Sequence, residues 1–115
     1  MNSIVRNFRY ELKGSSSVIY LNETLDISSS AYFEKSVSEL INNHPGNDVI
    51  INMTHVPYMS SAGLGVLIVL TKRLEENNRK LKITNLNHTL RKVISLLDAE
   101  GLVNIYDDEP DALAG

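Results

Sequence analysis

Residues 58–70 read Y-M-S-S-A-G-L-G-V-L-I-V-L, and the behaviour of this stretch decides how the rest of the chain is arranged. Just before it, Val49, Ile50, Ile51 and Met53, broken only by Asn52, form a short apolar run of the kind found in a buried strand, and Pro57 is expected to end its pairing. From Ala62 onward the period changes. Leu64, Leu67, Ile68, Thr71 and Leu74 fall on one side of a helix, with Gly65, Val69, Lys72, Arg73 and Glu76 on the other. A buried strand, a serine turn and an apolar helix therefore follow one another. Ser60 and Ser61 sit where the helix begins, and either can cap a helix starting at Ala62.

Working outward, the same alternation recurs on both sides. Ile4, Phe8, Tyr10 and Leu12 fall on one face of a candidate strand, with Val5, Asn7, Arg9 and Glu11 on the other, a polar face suited to an edge. Turn residues around Gly14 connect it to a second strand, Val18 to Leu21, as an antiparallel hairpin. Asp26 to Ser30 offer helix caps, and Phe33, Val37, Leu40 and Ile41 follow at helical spacing until the chain turns near Asn42 to Gly46. Beyond the central stretch, Asn77 and Asn78 end the second helix and Leu81 and Ile83 mark a further strand. Asn87 or Thr89 caps a third helix with Leu90, Val93, Ile94 and Leu97 inward, and Gly101 is placed to stop it. Val103 to Tyr106 form a last strand, and Glu109 to Gly115 a short helix or a frayed tail. Strands alternating with helices build right-handed crossovers, so the chain is expected to be a single α/β domain over residues 1–115. Its sheet should have about five strands, mostly parallel, with an antiparallel first edge.

Composition narrows the function. With 43% hydrophobic and 22% charged residues the chain has the makeup of a globular domain rather than a disordered segment. A formal charge of -3 disfavours nucleic acid as a partner, and the basic cluster Lys72, Arg73, Arg79, Lys80 and Lys82 is expected to be a solvated surface. The absence of cysteine removes disulfides, zinc thiolates and thiol nucleophiles. Without a signal-peptide pattern at its start or an apolar run long enough to span a bilayer, the protein is expected to be cytoplasmic, with no direct membrane insertion. His44, His55 and His88 stand singly rather than at metal-ligand spacing, and Gly63 with Gly65 is a lone G-x-G, so neither a metal nor a cofactor is expected. A serine hydrolase would need the nucleophile between two glycines, whereas Met59 and Ala62 flank this serine pair. No enzyme is expected. The surplus apolar residues of the second helix, Val69 above all, instead leave exposed apolar surface beside two modifiable hydroxyls, which suggests a regulated protein contact.

The stretch N-M-T-H-V-P-Y-M-S-S-A-G-L-G-V-L-I-V-L, residues 52–70, resembles the signature of STAS domains, found in bacterial anti-sigma-factor antagonists and in the cytoplasmic part of sulfate transporters. V-I-Y-L-N-E-T-L-D-I-S-S-S at residues 18–30 and L-N-H-T-L-R-K-V-I-S-L-L-D-A-E-G-L-V-N-I-Y-D-D at residues 86–108 carry the resemblance across nearly the whole chain. The resemblance implies an antagonist that binds a serine-kinase anti-sigma factor, is released when that kinase phosphorylates it, and is reset by a serine phosphatase. It places the phosphoacceptor at Ser61, with Ser60 as second candidate because it replaces the aspartate of the family pattern, and Glu23 stands where the family often has glycine. The expected partner surface comprises Asp26, Ser28, Ser60, Ser61, Gly65, Val69 and Lys72. The alternative is a constitutive binding or assembly module of a transport or sensory complex, with Ser61 only capping a helix.

Overall fold

In a computed structural model the described residues are 2–5 and 8–115, with side chains from Phe8 onward. They form one six-stranded sheet in the order β1-β2-β3-β4-β5-β6. The strands are β1 (Asn2–Val5), β2 (Phe8–Lys13), β3 (Ser16–Tyr20), β4 (Asp48–Asn52), β5 (Leu81–Thr84) and β6 (Asn104–Tyr106). β1 and β2 pair antiparallel, as do β2 and β3, and every pairing from β3 to β6 is parallel. The mixed, mostly parallel α/β architecture read from the sequence is what forms. The single strand expected from Ile4 to Leu12 is in fact two, with Val5 opposite Phe8, so β1 takes the edge and β2 is paired on both sides. The facing expected for Ile4, Val5 and Asn7 lies outside the described side chains.

Each connection has a local cause. Gly14, at φ +60°, is the first residue of the two-residue loop joining β2 to β3, a position that favours glycine because a Cβ there is strained. Helix α1 (Ile27–Asn43) starts from Asp26, whose carboxylate accepts the N–H groups of Ser28 and Ser29 while the Ser29 hydroxyl accepts the Asp26 N–H, a complete capping box. Helix α2 (Ser61–Glu75) ends where Asn78 takes a left-handed conformation. Helix α3 (His88–Leu96) is capped by Asn87 and stops before Gly101, because Asp98 adopts positive φ and turns the chain into a 3-10 turn at Glu100–Leu102. Leu97 is therefore half exposed rather than part of the inner face of α3, which Leu90 and Ile94 make. The last segment is a formed helix, α4 (Glu109–Ala114), with Asp108 as N-cap.

Two layers cover the sheet unequally. On one face α1, α2 and α3 bury Phe33, Val37, Leu40, Leu64, Leu67, Leu70, Leu74, Leu90 and Ile94 against Ile19, Val49, Ile51, Leu81 and Ile83. Phe8 joins them edge-on to Phe33, with ring centroids 6.0 Å apart. On the other face the short α4 closes over Val18 and Ile50 through Ala112. Its ends are fixed by polar side chains from the sheet. Glu109 accepts from Lys13 at 2.5 Å and Asn52 at 3.2 Å, and Lys82 donates to the carbonyls of Ala112 at 2.7 Å and Gly115 at 3.1 Å. Arg79 likewise donates to the carbonyls of Asn47 and His44, closing the end of α1. Arg79 and Lys82, the latter only 2% exposed, are thus not the solvated surface expected of them. Alternation along β5 turns Lys82 to the α4 face, where it binds carbonyls of the last turn of α4, and Arg79 binds the carbonyls of the α1 C-cap His44 and of Asn47 in the turn beyond it.

Leu67→Ala should destabilise the domain by about 2–5 kcal/mol, because Leu67 is fully enclosed, whereas Lys72→Ala on the exposed face should change stability by less than about 0.5 kcal/mol in denaturant melts. A second expectation concerns acid. Burial acts to raise the pKa of Glu109, but hydrogen bonds from Lys13, Asn52 and Tyr20 outweigh it and hold the carboxyl below its ordinary value of 4.5. A folded-state pKa below the unfolded one gives stabilisation that is complete above the unfolded value and lost as the pH falls through the folded one. Melts of Glu109→Gln should therefore lose less stability than the wild type between neutrality and about pH 3, while the two should show parallel behaviour from pH 7 to 6.

Candidate functional site

The ends of β3 and β4 are joined by a contact that neither strand announces. After Pro57 the chain pairs once more, through a single parallel bridge between Leu25 and Met59. Leu25 donates its N–H to the Tyr58 carbonyl at 3.1 Å, and Ser60 donates to the Leu25 carbonyl at 2.9 Å. Both side chains of the bridge are fully buried, so the expectation that Pro57 ends pairing does not hold. Each bridge residue is followed at once by a helix cap, Asp26 after Leu25 and Ser60 after Met59. The N-termini of α1 and α2 are thereby fixed side by side at the carboxyl end of the parallel strands, where open α/β sheets place their binding sites.

Close approach of the two segments depends on Gly63. A Cβ added there would lie 2.3 Å from the Leu25 carbonyl oxygen, closer than a real Cβ contact permits. Gly65, by contrast, faces open space. The two glycines of the G-x-G thus have different roles, and only the first is demanded by packing.

The two serines are also inequivalent. Ser60 is the N-cap, and its hydroxyl accepts the Gly63 N–H at 3.3 Å. It performs the capping that an aspartate would perform equally well, without the charge. Ser61 is the first helical residue and is exposed, and the N–H groups of Ser61 and Ala62 belong to the first turn, which has no intrahelical acceptor. Nearby, the Asp26 carboxylate is held below its ordinary pKa by hydrogen bonds from the Ser28 hydroxyl and the Ser29 N–H.

Around Ser61 the structure places Ser60, Asp26 and Ser28 at the same end of the sheet, and Gly65, Val69 and Lys72 continue from Ser61 along the outer face of α2. Val69 is 48% exposed, while its neighbour Leu70 is buried. Two residues escaped sequence reading. Ile27, the first residue of α1, is 82% exposed, and Tyr58, beside the bridge, is 46% exposed. The available signal was an apolar residue immediately after a helix cap and another immediately after a loop proline, places where a side chain can lie beyond the sheet edge. One turn after Val69, at the edge of this face, Arg73 joins α2 to α1 through Ser38 at 2.6 Å and Glu34 at 3.4 Å.

Comparison with known proteins matches residues 7–112 to the STAS domain. The chain belongs to the STAS domain family. A candidate anti-sigma factor antagonist of Thermotoga maritima is 24% identical over 106 residues, 92% of this chain and 94% of that protein. An anti-sigma F factor antagonist of Paenibacillus polymyxa is 21% identical over 96 residues, 84% of this chain and 82% of its own. The Thermotoga crystal structure superposes with a TM-score of 0.87 at 23% identity, covering 95% and 93% of the two chains. The unphosphorylated form of the anti-sigma factor antagonist SpoIIAA gives 0.69 at 21% identity, covering 93% and 94%. These relatives are named as antagonists of anti-sigma factors, and the two superposed structures share the fold seen here.

Gly63→Ala should destabilise the domain by about 1–3 kcal/mol, since a backbone oxygen must move, whereas Gly65→Ala should stabilise it by about 0.5–1 kcal/mol. Ser60→Ala should cost about 1 kcal/mol through the lost cap. Urea melts of the three variants check the order, and a neutral Gly63→Ala would contradict the contact described.

Proposed function

We propose that this STAS domain is an anti-sigma-factor antagonist that works by partner switching in the cytoplasm. Unphosphorylated, it binds a serine-kinase anti-sigma factor through the surface formed by Asp26, Ser28, Ser60, Ser61, Gly65, Val69 and Lys72, extended by Ile27 and Tyr58. The kinase transfers the γ-phosphoryl group of ATP to Ser61 Oγ, breaking the bond to the ADP oxygen, while the hydroxyl proton passes to the kinase. The complex then separates. A serine phosphatase restores the hydroxyl with water and releases inorganic phosphate.

The observation that carries this reading is the exposed hydroxyl of Ser61 on the first residue of α2, beside exposed Ile27, Tyr58 and Val69. A phosphate there adds about -1.5 to -2 charges next to free N–H donors and the positive end of the helix dipole, so the folded domain tolerates it. A partner that covers the apolar rim does not, because an unpaired charge buried at an interface costs several kcal/mol. Ser60 is the poorer acceptor. Its hydroxyl is engaged as the cap, and modifying it removes the Gly63 hydrogen bond.

Incubation with the native kinase and ATP, followed by site mapping, should place phosphate on Ser61. Ser61→Asp should melt within about 1 kcal/mol of the wild type yet lose at least about tenfold in affinity for the partner, and Val69→Asp should do the same. Ser61→Ala should resist phosphorylation and still bind. Phosphate mapped to Ser60 alone, or normal binding by Ser61→Asp, would overturn the mechanism. A wild-type domain that binds but never accepts phosphate would identify the constitutive assembly module instead.

A further inference from the structure

The carboxyl end of α3 carries a second apolar patch, at the opposite end of the sheet from Ser61. α3 starts at the carboxyl end of β5 and runs back to the amino end of β6, so its last turn lies at the far side of the parallel strands. There Leu96 is 74% exposed, and Leu97 and Leu102 are each about half exposed. These leucines are not on a frayed end. Asp98 donates to the Ser95 carbonyl, Ala99 to that of Ile94 and Leu102 to that of Ala99, and the Ala99 side chain is buried beneath them. A hydrogen-bonded turn therefore holds three leucines in water, a pattern that marks a protein contact rather than scattered surface residues.

The charges around the patch select the occupant. Arg91 is paired with Asp107 at 3.3 Å, but Lys92, Asp98 and Glu100 have no salt-bridge partner among the described residues. Lys92 lies one turn before Leu96 on the same helix stripe, about 6 Å along the axis, and the two acids follow Leu96 in the turn. Positive charge on one side of the leucines and negative charge on the other make the patch complementary to itself turned through a half rotation. We propose that this face joins two copies of the chain across a two-fold axis at Leu96. Each copy sets Lys92 against Asp98 and Glu100 of the other, and the leucines fill the centre. Such a contact is isologous and closes at two copies. Because the patch is small, the dimer is weak, with a dissociation constant of about 10–100 μM, and both Ser61 surfaces stay free at its outer ends.

Sedimentation velocity tests this. The wild type should be monomeric at about 2 μM and mainly dimeric at about 500 μM, and Leu96→Asp should stay monomeric at both with an unchanged melt. Lys92→Glu alone and Asp98→Lys/Glu100→Lys alone each place like charges across the axis and should be monomeric. Their equimolar mixture should dimerise, because every cross-axis pair in the mixed dimer is again of opposite sign. Ser61→Asp should associate like the wild type, which separates this face from the phosphoacceptor end. A wild type that remains monomeric at the higher concentration, a Leu96→Asp variant that still dimerises, or a mixture that fails to dimerise would overturn the proposal.

Discussion

The structure depends on the parallel pairing of β3 with β4, strands covered on both faces. Val18 and Ile50 lie under α4, while Ile19, Val49 and Ile51 lie under the three larger helices. Removing these side chains from water on both sides is the main favourable term, and it leaves no freedom in register, because a shift by one residue would exchange the two faces. Once β3 and β4 are fixed, β2 must return along the open side of β3, and β5 and β6 extend the sheet on the other by right-handed crossovers. Helices α1, α2 and α3 follow from the same constraint, since each must carry the chain back across one face to the next parallel strand.

The end of the molecule that carries Ser60 and Ser61 is a consequence of how those two strands finish. A parallel pair delivers two chain ends at the same edge, and the Leu25–Met59 bridge continues the pairing for one step after both strands have ended. That step ties the first turns of α1 and α2 together through backbone atoms rather than side chains. A side-chain hydroxyl at this point is exposed on a hydrogen-bonded backbone, and the exposed apolar groups near it lie on the same two segments.

Much of the fold was legible because its signals are local. The apolar run from Val49 to Ile51, the helical period of Leu64, Leu67 and Leu74, the caps at Asp26 and Asn87 and the glycine at residue 14 each report on a few neighbouring residues, and each sits where its pattern says. Other features depend on the third dimension. Nothing near Leu25 or Met59 marks them as partners, since a single bridge has no period. The division between β1 and β2 is hidden because polar and apolar residues alternate straight through it. Arg79 and Lys82 look like surface cations by type, and only the position of the helix ends above them explains their burial. Leu97 continues the apolar phase of α3, but the helix has already ended, so the phase no longer describes where the side chain lies. The same limit applies at the site. Adjacent serines are equivalent as letters, and only the geometry of the first turn makes one a cap and the other a free hydroxyl.

The burial of Lys82 gives the domain an internal reporter. Its ammonium is enclosed between β5 and the last turn of α4, where it holds the carbonyls of Ala112 and Gly115. An amine in that position can meet an acylating reagent only when α4 lifts from the sheet, whereas the exposed amines of Lys72 and Lys80 react from the closed state. The rate at which the buried lysine is modified then reports the opening, local or global, that uncovers this face. The cation that closes the back of the sheet also serves as a clock for how often that side opens.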